Sequence, residues 1–130
     1  MNLAYRLRPT NFEEFVGQKD LAGENAIVRR IIKSQAPFSL IFWGPPGSGK
    51  TTLANIIANE LNADFHAISA VEAGKADLNN IIGLAQENLK SNVKTILFLD
   101  EIHRWNKAQQ DALLPYVENG TLNLIGATTE

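Results

Sequence analysis

The sequence contains no cysteine among its 130 residues, which excludes disulfide bonds and metal sites built on thiolates. It has no apolar segment of the length needed to cross a bilayer. The first residues, 1–6, lack the apolar core of a signal peptide. Internal repeats, low-complexity tracts and interdomain linkers are missing as well. We therefore expect a cytoplasmic globular protein that does not contact a membrane.

Strong charge of either sign is also missing. The chain has 12 lysines and arginines against 14 aspartates and glutamates, for a formal net charge of −2. This balance gives no overall field that would attract nucleic acid, so any DNA contact must come from a local patch or from other subunits. A hydrophobic fraction of 45% is typical of a globular protein, and this length corresponds to about one small domain.

The most informative stretch is a glycine-rich loop that follows an apolar run. Residues 39–43 predict a strand, and the next eight residues fit the pattern G-x-x-x-x-G-K-[ST]. Glycines let such a loop turn tightly and bring its N–H groups close to phosphate oxygens, beside the positive end of the following helix. Lys50 is expected to reach the outer phosphates, and the Thr51 hydroxyl to bind a bridging Mg²⁺. The predicted ligand is a nucleoside triphosphate, held by Gly44, Pro45, Pro46, Gly47, Ser48, Gly49, Lys50 and Thr51.

Strand and helix patterns alternate around this loop. Apolar residues recur at helical spacing in residues 25–34, 50–62, 77–89 and 107–119. Short β-rich runs predict strands at residues 39–43, 65–69, 95–99 and 122–129. Asp77 is the predicted N-cap of the third helix, and Pro115 is predicted to kink or split the fourth. This order predicts an α/β fold with a mostly parallel sheet, in which ligands bind beyond the carboxyl ends of the strands.

The N-terminal stretch is expected to begin extended, because Pro9 keeps the residue before it out of the helical region. Thr10 or Asn11 could then cap a short turn that carries Phe12 and Phe15 inward. From these residues alone, the stretch is an N-terminal arm that packs on the core.

Two adjacent carboxylates follow the most apolar strand. Asp100 ends a strand that is expected to be buried on both faces, where a carboxylate is costly unless it serves a cation. We assign it to the Mg²⁺ that Thr51 helps to hold, directly or through water. Glu101 lies on the opposite side of the backbone and is assigned to orient or deprotonate the water that attacks the γ-phosphate. The pair indicates a nucleotide hydrolase, and the alternative is an exposed acidic turn.

Three hydroxyl side chains end other strands. Thr128 and Thr129 close the last strand near the expected γ-phosphate, and Thr129 is favoured as the hydrogen-bond donor to the phosphate or the attacking water. Threonines at strand ends are also common as simple β-formers. Ser69 could orient Glu101, but loop capping explains it better.

Two histidines and an Arg-Trp pair complete the candidates. His66 lies within a strand and His103 follows the acidic pair. Neither has companions at metal-ligand spacing, so both are interpreted as structural or surface residues. Arg104 and Trp105 could contact nucleic acid or a neighbouring subunit, and partial packing of the indole explains them at least as well.

Together these stretches resemble the N-terminal ATPase core of AAA+ proteins, and among them the replication-associated recombination protein A family with its Werner-helicase-interacting ATPase relatives. The resemblance covers nearly the whole chain. The phosphate loop and the acidic pair indicate only the superfamily. The His-Arg-aromatic-Asn-Lys run that begins at His103 and the Val-Glu-Asn-Gly-Thr run that begins at Val117 narrow the resemblance to this family. Trp105 stands where the family would have phenylalanine. The matching segments are residues 7–9, 12–18, 43–52, 68–71, 100–115 and 124–130.

The resemblance implies a three-layer α/β/α P-loop NTPase fold that lacks a final edge strand and a helical lid. Residues 1–18 would be an N-terminal arm and adenine-side loop, and residues 39–129 the P-loop core. ATP and Mg²⁺ are the implied ligands, with Val16 and Gly17 lining the adenine pocket and Thr52 extending the phosphate loop. The full-length protein would be a homo-oligomeric, nucleoid-associated ATPase that acts on DNA at stalled replication forks, with single-strand-binding protein and the replisome as partners.

The resemblance also implies ATPase elements after the last predicted strand, among them an arginine finger, which is worth about 10³–10⁵ in rate. We therefore expect a truncated or natural fragment that hydrolyses ATP negligibly by itself. One alternative shares the chemistry: a clamp-loader subunit or a Holliday-junction branch-migration motor. Another is a nucleotide-gated binding module without turnover, against which Glu101 argues.

Overall fold

The computed structural model describes residues 29–129 and the backbone of residues 4–7 and 14–16. The strands are β1 (Ala4–Leu7), β2 (Glu14–Val16), β3 (Ser39–Trp43), β4 (Asp64–Ser69), β5 (Thr95–Asp100) and β6 (Asn123–Thr128). The helices are α1, described over residues 29–34, α2 (Lys50–Leu61), α3 (Lys75–Lys90) and α4 (Lys107–Glu118), and a 3₁₀ turn spans Ile102–Arg104. No helix in these described ranges is long and apolar enough to span a membrane.

The sheet is built around four parallel strands. Its order is β2-β1-β3-β6-β5-β4, and the strands from β3 to β4 in that order run parallel. Parallel neighbours need crossover connections, which α2, α3 and α4 provide. β1 pairs antiparallel with both β2 and β3. The predicted α/β fold with a mostly parallel sheet is confirmed.

Alternation along the central strands divides the apolar side chains between two layers of helices. In β5, Ile96 and Phe98 belong to the core that includes α2, whereas Leu97 and Leu99 belong to the core that includes α3 and α4. Residues 95–99 are all buried, as predicted for a strand covered on both faces. The sheet therefore has a hydrophobic core on each side, in a three-layer α/β/α arrangement.

The prediction for the start of α3 is wrong. The helix begins at Lys75 with Gly74 as its N-cap, and Asp77 stands within the first turn. From there its carboxylate accepts the Gly74 N–H at 3.1 Å. An acidic side chain can stabilise a helix start from the cap or from the first turn, so its presence alone did not fix the boundary.

Of the two effects predicted for Pro115, a kink or a split of the last helix, the split is wrong, since α4 runs through it as one element. Proline removes the hydrogen bond to the carbonyl four residues earlier, which belongs to Asp111. Asp111 is exposed, so water can satisfy that carbonyl. Leu113 meanwhile is fully buried and holds the helix on the core beneath it.

The structure describes only part of the N-terminal stretch for which predictions were made. β1 confirms an extended start. Phe15 belongs to β2 and pairs in the ladder with β1, so it lies in a strand where a turn was predicted. Thr10, Asn11 and Phe12 lie outside the described residues, and the first predicted helix is described from residue 29 onward.

A polar cluster lies at the amino ends of β4 and β5. Asp64 accepts a hydrogen bond from Asn88 Nδ2 at 2.9 Å and lies 3.0 Å from His66 Nε2. Asn88 also donates to the Thr95 hydroxyl at 2.8 Å, which ties α3 to the start of β5. The nearby His66 ring first, and then the hydrogen bond from Asn88, hold the pKa of Asp64 below its usual range, against the raising effect of burial. His66 is a structural residue, as interpreted from the sequence.

Asp64→Asn is expected to lower the free energy of unfolding near neutral pH by roughly 0.2–1 kcal/mol, since the pair is partly exposed to solvent. The folded-state pKa lies below the unfolded value, so the carboxylate stabilises the fold above the unfolded pKa and loses this contribution as the pH falls through the folded pKa. Urea denaturation of both proteins at neutral and acidic pH measures the difference. The two free energies should converge in acid, whereas a constant gap would mean that the amide disturbs packing.

Candidate active site

The carboxyl ends of the four parallel strands meet at one edge of the sheet. Trp43, the last residue of β3, pairs with Thr128, the last residue of β6. Ser69 at the end of β4 pairs with Asp100 at the end of β5. Since β6 lies between β3 and β5, the glycine loop after β3 and the acidic pair after β5 are one strand apart. The topology brings both predicted motifs to the same edge.

The glycine loop turns through two residues in the left-handed region. Gly47 has φ 79° and Gly49 has φ 94°, a conformation that costs residues with a Cβ roughly 1–2 kcal/mol. A Cβ at Gly47 would meet no heavy atom within 4 Å, so there is open space beside the loop. Gly49 is the N-cap of α2, and no side chain caps this helix. The first N–H groups of α2 therefore keep their capacity to bind an anion.

Ser48 is an unsatisfied member of the loop. Its side chain is 4% exposed, and its Oγ has no hydrogen-bond partner within the described part of the chain. Buried polar atoms in folded proteins nearly always have a partner. The start of α4 shows the usual arrangement, because Asn106 and Gln109 cap each other's backbone N–H groups at 2.8 and 2.9 Å. The phosphate loop thus retains polar groups that a ligand would satisfy.

Lys50 is buried at the same edge. It is 9% exposed, and its Nζ donates to the carbonyl oxygens of Gly44 at 2.5 Å and Thr128 at 3.2 Å. Over the described ranges it forms no ion pair with a carboxylate. Burying a cation without a counter-charge is costly, and an ammonium has a third N–H to donate. Lys50 therefore indicates an anionic ligand.

The acidic pair forms a strained turn. Asp100 Oδ1 accepts the N–H of Glu101 at 2.9 Å. Glu101 has φ 53° and ψ 46°, a left-handed conformation that is uncommon for a residue of this kind. It reverses the chain into the 3₁₀ turn, which is closed by the Arg104 N–H donating to the Glu101 carbonyl at 2.8 Å. Such strain persists only where the surrounding structure fixes it, and it is concentrated at functional sites.

The structure distinguishes the two threonines at the end of β6. Thr128 is 9% exposed, and its carbonyl accepts hydrogen bonds from Lys50 and from the Gly44 N–H at 3.1 Å. Its hydroxyl lies 2.6 Å from His103 Nδ1. Thr129, which the sequence favoured, follows the strand and is exposed. A role for Thr129 stays a prediction, and the contacts that join β6 to the loop are those of Thr128.

His103 is the residue that sequence reasoning missed. Besides Thr128, it approaches Glu101, with 3.9 Å between His103 Nε2 and Glu101 Oε1. From the sequence, His103 was interpreted as a structural or surface residue because it has no companions at metal-ligand spacing. Its position two residues after Glu101 was the only signal in the sequence, and the partner Thr128 is 25 residues away.

The other predicted residues of the loop and of the strand ends lie in unstrained positions. Thr51 and Thr52 lie exposed in the first turn of α2, and Pro45 and Pro46 are exposed in the loop. These positions are open to a ligand. Ser69 Oγ accepts the N–H of residue 71 at 3.2 Å, which confirms the predicted loop cap.

The remaining candidates lie away from the loop or outside the described residues. Trp105 packs partly against the core that includes α3 and α4, in agreement with the predicted partial packing of its indole. Arg104 is exposed. Val16 is described only as part of the backbone of β2, and Gly17 lies outside the described residues.

Comparison with known proteins places this geometry in a family. The family described as Holliday junction DNA helicase RuvB P-loop domain matches residues 7–129. The chain is 52% identical over 128 residues to replication-associated recombination protein A of Haemophilus influenzae and 48% identical to that of Escherichia coli K12. It is also 48% identical over 128 residues to ATPase WRNIP1 of Dictyostelium discoideum.

These matches cover 98% of this chain but only part of each relative. The chain spans 29% of the length of the two bacterial proteins and 15% of the length of ATPase WRNIP1. The matched part contains the glycine loop, the acidic pair and all four parallel strands. The chain therefore belongs to the RuvB-type P-loop domain family, in the group of AAA+ ATPases that includes replication-associated recombination protein A and ATPase WRNIP1.

Proposed function

We propose that this chain is the ATP-binding core of an enzyme that hydrolyses ATP to ADP and phosphate. The buried ammonium of Lys50 carries the proposal, because its described partners are two carbonyl oxygens and no carboxylate. A triphosphate would supply the missing negative charge. The Ser48 hydroxyl and the uncapped start of α2 would add hydrogen bonds to the phosphate oxygens.

Mg²⁺ fits the donors at this edge. Thr51 supplies a hydroxyl and Asp100 a carboxylate, and no described residue bonds the second oxygen of that carboxylate. Oxygen donors suit Mg²⁺, which takes one or two protein ligands and completes its shell with phosphates and water. We propose Thr51 and Asp100 as the protein ligands. When bound, the ion neutralises charge on the phosphates.

The adenine would lie on the N-terminal side of this site. We propose that residues 1–18 form the adenine-side loop, with Val16 and Gly17 lining the pocket, and that residues 39–129 form the core that holds the phosphates. The family match beginning at residue 7 supports including the N-terminal stretch in this domain.

Hydrolysis then follows from the position of Glu101 beside the phosphate edge. Its carboxylate orients a water molecule and accepts a proton as the water oxygen attacks the γ-phosphorus. The bond between that phosphorus and the bridging oxygen breaks, so ADP and phosphate leave. A hydroxyl at the end of β6, with Thr129 favoured over Thr128, hydrogen-bonds the phosphate or the water.

The work driven by this ATPase is proposed to be maintenance of DNA at stalled replication forks. The names of the relatives and their 48–52% identity support it. We propose that the full-length protein is a nucleoid-associated homo-oligomer that works with single-strand-binding protein and the replisome. A branch-migration motor is the second candidate, because the matching family is described as a Holliday junction helicase domain.

DNA-dependent ATP turnover by the full-length protein tests this function. We expect turnover to rise on addition of forked DNA and DNA ends. Stimulation confined to four-way junctions would favour the branch-migration motor instead. The 130-residue chain alone should bind ATP but hydrolyse it negligibly, because an arginine finger worth about 10³–10⁵ in rate is proposed to come from elsewhere.

A further inference from the structure

We propose that His103 is a positioning residue for ATP hydrolysis, which links the carboxylate of Glu101 to Thr128 and through it to the phosphate loop. The inference rests on the proposed ATPase function and adds a residue to it. His103 has contacts on both of its ring nitrogens, and each contact leads to a different part of the site.

The local backbone explains how His103 reaches the end of β6. The left-handed conformation of Glu101 reverses the chain, and the 3₁₀ turn that follows lies against β6. Gly126 makes this approach possible: a Cβ at that position would collide with the end of the Ile102 side chain and would lie 3.3 Å from its Cβ and Cγ2. Because Ile102 packs against a glycine, the next residue, His103, comes within reach of Thr128.

The two contacts assign roles to the two ring nitrogens. Glu101 is a carboxylate and can only accept, so a neutral imidazole that approaches it favourably carries its hydrogen on Nε2. In that tautomer Nδ1 is an acceptor, and the Thr128 hydroxyl, 2.6 Å away, would donate to it. The 3.9 Å between Nε2 and Oε1 is too long for a hydrogen bond, so the carboxylate is within range of the ring but not fixed to it.

Thr128 completes the connection to the phosphate loop. Its carbonyl accepts hydrogen bonds from Lys50 Nζ and from the Gly44 N–H, while its hydroxyl meets His103. A continuous path of contacts therefore runs from the ammonium that binds phosphate to the carboxylate that orients water. Through this path His103 limits the positions open to the Glu101 carboxylate, without holding it in a hydrogen bond and without touching the nucleotide.

Steady-state kinetics of the full-length protein test this role. His103→Ala should lower kcat by about 10- to 100-fold, the cost of a misplaced catalytic group, and leave the KM for ATP nearly unchanged. His103→Gln places an amide nitrogen near the former Nε2, and His103→Asn places polar atoms near the former Nδ1. We expect glutamine to recover part of kcat and asparagine to recover less. In a Glu101→Gln background, His103→Ala should have no further effect.

His66→Ala is the matched control, because His66 also contacts a carboxylate but lies on β4 with Asp64, at the other end of the strand from the site. It should leave kcat unchanged. An unaltered kcat in His103→Ala would overturn the inference, and so would a fall in kcat together with a rise in KM and a loss of thermal stability. Better recovery with asparagine than with glutamine would also overturn it. If the unsubstituted protein turns over no ATP, the proposed function itself is wrong.

Discussion

Replacing Glu101 by glutamine is expected to abolish ATP turnover by the full-length protein while ATP binding is retained. The amide has nearly the same size as the carboxylate but cannot take a proton from the attacking water, a loss worth about 10²–10⁴-fold in rate. The groups proposed to hold the phosphates, Lys50 and Ser48, are untouched. Phosphate release gives kcat, and isothermal titration gives the Kd for ATP.

Glu87→Gln is the matched control for this experiment. Glu87 lies on the exposed side of α3, where it pairs with Lys90 at 3.0 Å, so the same chemical change there should alter neither kcat nor Kd. If the unsubstituted protein and Glu101→Gln both bind ATP and both show negligible turnover, the proposal that this protein is an ATPase is contradicted. That result would support a nucleotide-gated binding module.

Much of this site could be predicted because its signals are local. The phosphate loop needs glycines at fixed positions so that the backbone can turn, and Gly47 and Gly49 indeed have positive φ. β5 was predicted from a β-rich run, residues 95–99, whose last four side chains are all apolar, a pattern typical of a strand covered on both faces. Once four parallel strands were predicted, the rule that ligands bind beyond their carboxyl ends placed Lys50 and Asp100 at one edge.

The features that could not be predicted depend on contacts between distant residues. His103 meets Thr128 only because Glu101 takes a left-handed conformation and because Gly126 leaves room for Ile102. None of these conditions produces a periodic or spaced pattern in the sequence. The contacts of Thr128 could not be predicted for a related reason, since they depend on where β6 ends, and the role of Thr129 stays a prediction.

The predictions for the start of α3 and for a break in α4 were wrong for a different reason. Asp77 and Pro115 are residues whose usual effects are strong, but each effect depends on the position within the helix and on what can replace a lost hydrogen bond. In α3 the cap position is held by Gly74, and in α4 the carbonyl affected by the proline lies at an exposed residue. Neither error displaces a residue of the site, because strand ends and the glycine loop determine its geometry.

Lys50→Met is expected to remove ATP binding without unfolding the chain. Methionine keeps the unbranched apolar stem of lysine, so packing around it is retained while the charge is lost. Hydrogen bonds to charged groups are worth about 1.5–3 kcal/mol each, and losing the ammonium should therefore weaken the Kd for ATP by roughly 100-fold or more. Titration of the 130-residue chain with ATP and Mg²⁺ measures this change directly.

Thermal unfolding of the same variant separates binding from stability. Without nucleotide, Lys50→Met should have an equal or higher Tm, because a buried cation without a counter-charge opposes folding. The matched control is Lys94→Met: Lys94 Nζ also donates to a carbonyl, that of Gln35 at 2.8 Å, but just before β5. ATP at about 100 times its Kd stabilises a protein by about 2.7 kcal/mol, so it should raise the Tm of the unsubstituted chain and of Lys94→Met only. A large fall in Tm without nucleotide would show instead that Lys50 is a structural cation satisfied by its two carbonyls.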